Sequence, residues 1–151
     1  MSFCLLWVIW IKIGRIWMTE KKVLIIDDEP DVISYLTVVL ESNGFRPYSA
    51  TTAENGFNLA VEVEPDLICV DIMMPQESGL SLFVKLRRES KFSDIPVLII
   101  SGLEQEQDFD FRKFVDSEDV SPPDLYIEKP IKVERFIEAV RKLTSSTHVK
   151  K

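Results

Sequence analysis

The sequence of 151 residues has few of the residues on which several common chemistries depend. It has one histidine, His148, which excludes metal sites built from clustered histidines and argues against a histidine-based catalytic triad. Its two cysteines, Cys4 and Cys69, cannot form a disulfide framework, so we expect a cytoplasmic protein. The 18 basic residues are outnumbered by 25 acids, and the net charge of −7 argues against nucleic acid as a direct partner.

Acidic residues are missing altogether from residues 1–18, which contain all three tryptophans. The uncharged run at 1–11 is too short to span a bilayer, and it lacks the basic start and the small-residue cleavage site of a signal peptide. This apolar leader is therefore either a short membrane-surface anchor, with Lys12 and Arg15 at the headgroups, or the product of a misassigned start codon. We favour a start at Met18, where a polar beginning runs directly into a strand, and expect a membrane partner only if the leader is real.

From Lys22 onward, short β-branched runs alternate with longer amphipathic segments, which predicts an α/β domain. The predicted strands are Val23–Asp27, Arg46–Ala50, Leu67–Asp71, Val97–Ser101 and Leu125–Glu128, and the predicted helices are Pro30–Asn43, Ala53–Val63, Leu80–Glu89, Glu104–Val115 and Val133–Leu143. The third and fourth strands are continuous apolar runs, as in strands covered on both faces. We therefore expect one doubly wound domain over 19–144, followed by a polar tail over 145–151.

Polar side chains stand at the ends of four of these strands. Asp27 and Asp28 end the first, Asp71 the third and Ser101 the fourth, and Lys129 follows the fifth. Function in such a sheet lies at the carboxyl ends of the strands, so these residues are expected to converge. Carboxylates with waters suit Mg²⁺, and a carboxylate can attack phosphorus to give an aspartyl phosphate. The strand ends predict a Mg²⁺-dependent phosphoryl-transfer site.

Four motifs make the sequence resemble the receiver domain of two-component response regulators, over roughly residues 21–144. They are IIDDEP, DIMMPQESG, LIISG and YIEKP. The resemblance implies a flavodoxin-like (βα)₅ fold with a five-stranded parallel sheet in the order 2-1-3-4-5. It also implies a stand-alone signalling phosphoacceptor rather than an enzyme, with a sensor histidine kinase or a phosphotransfer protein as donor and an unknown protein downstream.

The resemblance also implies the metal ligands. Asp71 is the phosphoacceptor, and Mg²⁺ is bound by Asp28, by Asp71 and by the backbone carbonyl of Met73, while Asp27 reaches the ion through water. Met73 also occupies a position from which a polar side chain could orient a hydrolytic water, as does Leu103. Because neither side chain can do so, we expect slow dephosphorylation.

For the remaining site residues, the resemblance implies contacts with the phosphoryl group and a switch. Lys129 contacts the phosphoryl oxygens, Ser101 moves toward them, and Tyr126 couples that movement to an output face. The interval from Ser101 to Lys129 is several positions longer than receivers usually have, and it is acidic and carries Phe109, Phe111 and Phe114. It is either a harmless insertion or a reshaped partner surface.

Other readings of the same residues remain open. Asp27 and Asp28 could simply cap the first helix, and Lys129 could be an extended surface lysine before proline. A metal-dependent phosphohydrolase with an aspartyl-phosphate intermediate is a second class, although such enzymes usually carry an acid where Met73 stands. An FMN carrier should have a Ser/Thr/Gly-rich loop in place of DDEPD. A receiver-like module that binds partners without phosphorylation is the last alternative.

Overall fold

The computed structural model describes residues 20–102 and 119–145, which contain five strands and four helices. They are β1 (Lys22–Ile26), α1 (Pro30–Ser42), β2 (Arg46–Ala50), α2 (Ala53–Val63), β3 (Leu67–Asp71), α3 (Gly79–Arg88), β4 (Val97–Ser101), β5 (Leu125–Glu128) and α4 (Val133–Ser145). The strands form one parallel sheet in the order β2-β1-β3-β4-β5, which confirms the predicted doubly wound fold. The leader 1–18, the predicted helix 104–115 and residues 146–151 of the tail lie outside the described residues.

The sheet is covered on both faces, which explains the continuous apolar runs. In the central strand β3, Leu67 and Cys69 face a cluster with α1 and α4, while Ile68 and Val70 face a cluster with α2 and α3. Cys69 is fully buried, and burial raises the pKa of its thiol. No helix among the described residues is long and apolar enough to cross a membrane.

Side chains fix where two of the helices begin. The hydroxyl of Thr52 accepts a hydrogen bond from the N–H of Asn55 at the start of α2, and Ser78 accepts one from the N–H of Ser81 at the start of α3, each at 3.2 Å. Helix α1 has Pro30 in its first turn and ends before Gly44, whose φ of +81° is a conformation that glycine adopts readily after a helix.

The last four strands and α2 have the predicted bounds, and the other elements differ from the prediction by one or two residues at an end. β1 ends at Ile26 rather than Asp27, although the N–H of Asp27 still donates to the carbonyl of Ala50 at 3.1 Å. α3 begins one residue before Leu80, and α4 continues through Thr144, whose hydroxyl donates to the carbonyl of Val140 at 2.7 Å. The strand ends that carry the site are otherwise where the sequence placed them.

Arg87 joins three elements at the end of the sheet away from these strand ends. Its guanidinium donates to the carbonyl of Ile95 at 2.7 Å and to Asp124 Oδ2 at 2.8 Å. The same oxygen of Asp124 accepts the N–H of Val97 at 2.8 Å. The segments that precede β4 and β5 are thus hydrogen-bonded to α3. These bonds fix the positions of the two strands, of which β4 ends at Ser101 and β5 is followed by Lys129.

Candidate functional site

Two aspartates are the only buried charged residues in the described part of the chain. Asp27 follows β1 and is 1% exposed, and Asp71 ends β3 and is 3% exposed. β1 and β3 are hydrogen-bonded neighbours, with Ile26 paired to Val70. Register therefore puts the two carboxylates side by side, at the topological switch point of the sheet.

Each of these carboxylates divides its two oxygens between its own loop and one cation. Oδ1 of Asp27 accepts the N–H of Glu29, and Oδ1 of Asp71 accepts the N–H of Met73, both at 2.9 Å. Such bonds to the residue two positions on are typical of Asp in turns. They orient both side chains so that their second oxygens, Oδ2, face Lys129 at 3.0 Å and 3.1 Å.

Lys129 is held above the two aspartates by the neighbouring strand ends. Its backbone N–H donates to the carbonyl of Ser101 at 2.8 Å, just beyond the pairing of Ser101 with Glu128. Its side chain is 18% exposed, and Nζ also lies 2.8 Å from Glu29 Oε1. The surface-lysine reading is therefore wrong, because this ammonium lies among three carboxylates.

The charges of the cluster shift the pKa of two of its members. Burial raises the pKa of the Asp27 carboxyl; the Glu29 N–H and Lys129 oppose that rise, and the charge of Asp71 adds to it. Burial by itself would lower the pKa of Lys129, but its contacts with Glu29, Asp27 and Asp71 outweigh burial and raise it above the usual lysine value. Lys129 is therefore a permanent cation at this site.

The donor set fits a hard divalent cation. Asp27, Asp28, Glu29 and Asp71 offer carboxylate oxygens that all lie within 4.8 Å of one another. One ammonium cannot neutralise four carboxylates, and Oδ2 of Asp27 is buried without a hydrogen-bond partner, its contact with Lys129 being an ion pair. A metal ion with its waters would satisfy that oxygen and relieve the repulsion.

Three further residues with implied roles lie around this cluster. Met73 is 56% exposed in the loop after β3, and Ser101 is half-buried at the end of β4. Tyr126 lies on the edge strand β5 opposite Ile99; it is half-buried against the α2–α3 cluster, and burial raises its pKa. Their placement agrees with the predicted positions, whereas Leu103 and the three phenylalanines lie outside the described residues.

Two residues near Asp71 and Lys129 had no predicted role. Glu29 is one of four acids in DDEPD, but an acid at a helix start is common enough to hide a specific contact. At Gly79, a Cβ would lie 2.0 Å from the carbonyl oxygen of Asp71. The sequence signal for this glycine is its position, eight residues after Asp71. The helix-capping interpretation of Asp27 and Asp28 is wrong, because the N-cap of α1 is Glu29 and no side chain caps it.

Comparisons with known proteins agree with this geometry. The family model for the response regulator receiver domain matches residues 23–141. The chain is 36% identical over 130 residues to the DNA-binding dual master transcriptional regulator RpaA of Synechocystis sp., covering 83% of this chain and 50% of RpaA. It is 30% identical over 119 residues to protein PilH of Pseudomonas aeruginosa, covering 79% of this chain and 93% of PilH.

A solved structure shows the same fold. It is response regulator protein TrrA of Thermotoga maritima in complex with Mg²⁺-BeF, with a TM-score of 0.68 and 24% identity, covering 82% of this chain and 98% of that one. The chain thus spans about half the length of RpaA and nearly all of PilH.

Proposed function

The chain belongs to the family of response regulator receiver domains, and we propose that it carries a phosphoryl group on Asp71 in a two-component system or phosphorelay. The observation that carries the proposal is the placement of Lys129 Nζ between two buried carboxylates, 3.0 Å from Asp27 and 3.1 Å from Asp71. A cation in that place would stabilise the negative oxygens of a phosphoryl group on Asp71. Catalysis is limited to the chain's own phosphorylation and slow dephosphorylation.

In the proposed transfer, Asp71 is the nucleophile. One of its carboxylate oxygens attacks the phosphorus of a phosphohistidine; an O–P bond forms while the P–N bond breaks, and that electron pair returns to the donor's imidazole. Lys129 stays protonated throughout, because its pKa is raised, and its N–H groups pair with the phosphoryl oxygens. The hydroxyl of Ser101, on the strand next to Asp71, moves to the same oxygens as the switch.

Mg²⁺ is the proposed cofactor. Asp28, Asp71 and the carbonyl oxygen of Met73 would hold the ion, with Asp27 reaching it through water. When bound, Mg²⁺ supplies positive charge that offsets the charge on the phosphoryl oxygens. The acidic cluster supports this assignment, and TrrA, which shares the fold, was solved with Mg²⁺.

The proposed partners are a sensor histidine kinase or a phosphotransfer protein as donor and a protein as downstream target. An open groove of about 410 Å³ adjoins Asp28 and leaves this side of the cluster accessible to a donor. Its walls come from the loops after β2 and β3, with Thr51, Thr52, Met74 and Glu77 among them. A cytoplasmic location and no direct contact of this domain with nucleic acid belong to the same proposal.

The direct test is phosphorylation of the full chain by acetyl phosphate. With Mg²⁺ present, intact-mass analysis should show one added phosphoryl group that hydroxylamine removes and that is absent from Asp71→Asn. Asp31→Asn removes an acid from the exposed start of α1 and is the matched control, which should label like the wild type. Labelling that persists in Asp71→Asn, or that proceeds equally after Mg²⁺ is chelated, would contradict the proposal.

A further inference from the structure

Glu29 uses its side chain differently from the residues that start α2 and α3. It is the N-cap of α1, with extended φ and ψ of −90° and 108°, but its carboxylate makes no hydrogen bond to the helix. The corresponding side chains of Thr52 and Ser78 do cap their helices. Glu29 instead reaches Lys129, 100 positions later in the chain, with Oε1 at 2.8 Å from Nζ. Helix α1 thus lacks the stabilising side-chain cap that α2 and α3 have.

The contact with Glu29 completes the surroundings of the Lys129 ammonium. Lysine has three N–H donors. Three carboxylate oxygens lie within 3.1 Å of Nζ, namely Asp27 Oδ2, Asp71 Oδ2 and Glu29 Oε1. A phosphoryl group on Asp71 takes the place of the Asp71 oxygen beside Nζ and brings further negative oxygens to the same ammonium, so Asp27 or Glu29 has to give up its contact.

Glu29 is the partner that can leave most easily. Its side chain is 59% exposed, whereas those of Asp27 and Asp71 are each 2% exposed. A released Glu29 carboxylate is hydrated at once, and an exposed ion pair is worth little. A released Asp27 carboxylate would stay buried without a counter-charge, which costs far more. Asp71 does not enter this comparison, because after phosphorylation its carboxyl group is an acyl phosphate and its charge lies on the phosphoryl oxygens.

From this difference we infer that Glu29 is a displaceable placeholder for the phosphoryl group. Before phosphorylation, Glu29 holds the Lys129 ammonium beside the two aspartates. After phosphorylation, it gives up its place at that ammonium to the phosphoryl oxygens. Glu29 is thus a positioning residue that acts through Lys129, and its release carries phosphorylation of Asp71 to the start of α1. The inference rests on the proposed function, because only a phosphoryl group on Asp71 creates the competition.

The spectroscopic test follows the Glu29 carboxyl carbon by NMR in the full chain. On phosphorylation with acetyl phosphate and Mg²⁺, its resonance should move toward that of a hydrated glutamate. In Lys129→Ala it should already be there without phosphorylation. If the phosphoryl mass appears on Asp71 while the Glu29 resonance stays unchanged, the placeholder role is overturned. If no phosphoryl mass appears on wild-type Asp71, the proposed function itself has failed.

The kinetic test compares two variants that each remove one negative charge near the start of α1. Glu29→Gln weakens a competitor for Lys129 and should be phosphorylated by acetyl phosphate about two- to fivefold faster than Asp31→Asn, the scale of an exposed ion pair. Equal rates in the two variants would show that charge alone matters and would overturn the inference. A loss of Mg²⁺ affinity in Glu29→Gln, absent from Asp31→Asn, would overturn it too, since Glu29 would then be a metal ligand.

Discussion

At the scale of single residues, Asp27 combines a buried charge with a raised pKa. A raised pKa means that the fold favours the protonated carboxyl, so stability is present at low pH and is lost as pH rises through the folded-state pKa. Asp27→Asn should therefore raise the free energy of unfolding at pH 7 without Mg²⁺, by about 1–2 kcal/mol. The gain should shrink in acid, where Asp27 is already neutral.

Urea unfolding of wild type and variant across pH measures this effect. The matched control is Asp31→Asn, which removes an exposed acid from the first turn of α1 and should lower stability slightly, by about 0.3–1 kcal/mol. A destabilised Asp27→Asn at pH 7 would mean that the ion pair with Lys129 outweighs the cost of burial.

The predicted long lifetime of a phosphoryl group on Asp71 depends partly on Met73. Its N–H donates to the carboxylate of Asp71, the proposed phosphoacceptor, while its side chain is exposed and cannot orient a water for attack on phosphorus. Met73→Asn combined with Leu103→Glu should speed dephosphorylation by roughly tenfold or more. Phosphoryl loss after donor removal, followed for both proteins side by side, checks this. Unchanged decay in the double variant would place control of water access elsewhere.

At the scale of elements, α3 begins in direct contact with the backbone of Asp71. Because the missing Cβ of Gly79 would lie 2.0 Å from the Asp71 carbonyl oxygen, Gly79→Ala must shift either the helix or Asp71. We expect the free energy of unfolding to fall by about 1–3 kcal/mol and acetyl phosphate to label Asp71 more slowly.

Gly44→Ala is the control for this change. It strains a φ of +81° without meeting any atom within 4 Å, and it lies before β2, at the other end of the sheet. It should destabilise the fold without slowing phosphorylation per folded molecule. Equal slowing in both variants would show that the defect is global rather than local to Asp71.

The elements also show what sequence could and could not predict. Apolar runs located β3 and β4 correctly, because burial on both faces leaves a local signal in the residues themselves. The start of β1 was missed, since the Lys22 N–H pairs with Asp66, a contact between distant parts of the chain. The convergence of Asp27, Asp71 and Lys129 followed from strand order. The ion pair between Lys129 and Glu29 could not be predicted from the sequence, because no periodic pattern indicates which acid a lysine will contact.

At the scale of the whole molecule, the proposed function requires that phosphorylation at the site change a surface to which a partner binds. Ser101 and Lys129 are joined through their backbones, and Tyr126 lies on β5 against the α2–α3 cluster. If Ser101 moves toward the phosphoryl group, Tyr126 gains room to turn inward, so both ends of the 101–130 interval respond to one event. Amide hydrogen exchange should change most over 101–130 on phosphorylation. Changes confined to α2 would indicate another output surface.

The reactivity of the buried Cys69 thiol can report how often the central strand β3 opens. Only the thiolate reacts with alkylating reagents, and burial in β3 denies the group both access and ionisation. Alkylation of Cys69, with Cys4 replaced by serine, therefore proceeds only as often as the central strand is laid open. Asp71 ends the same strand two positions on, so a ligand that is held by that carboxylate and released when β3 opens slows alkylation. The ratio of the alkylation rates without and with ligand, at a known ligand concentration, then gives the dissociation constant without a label at the site.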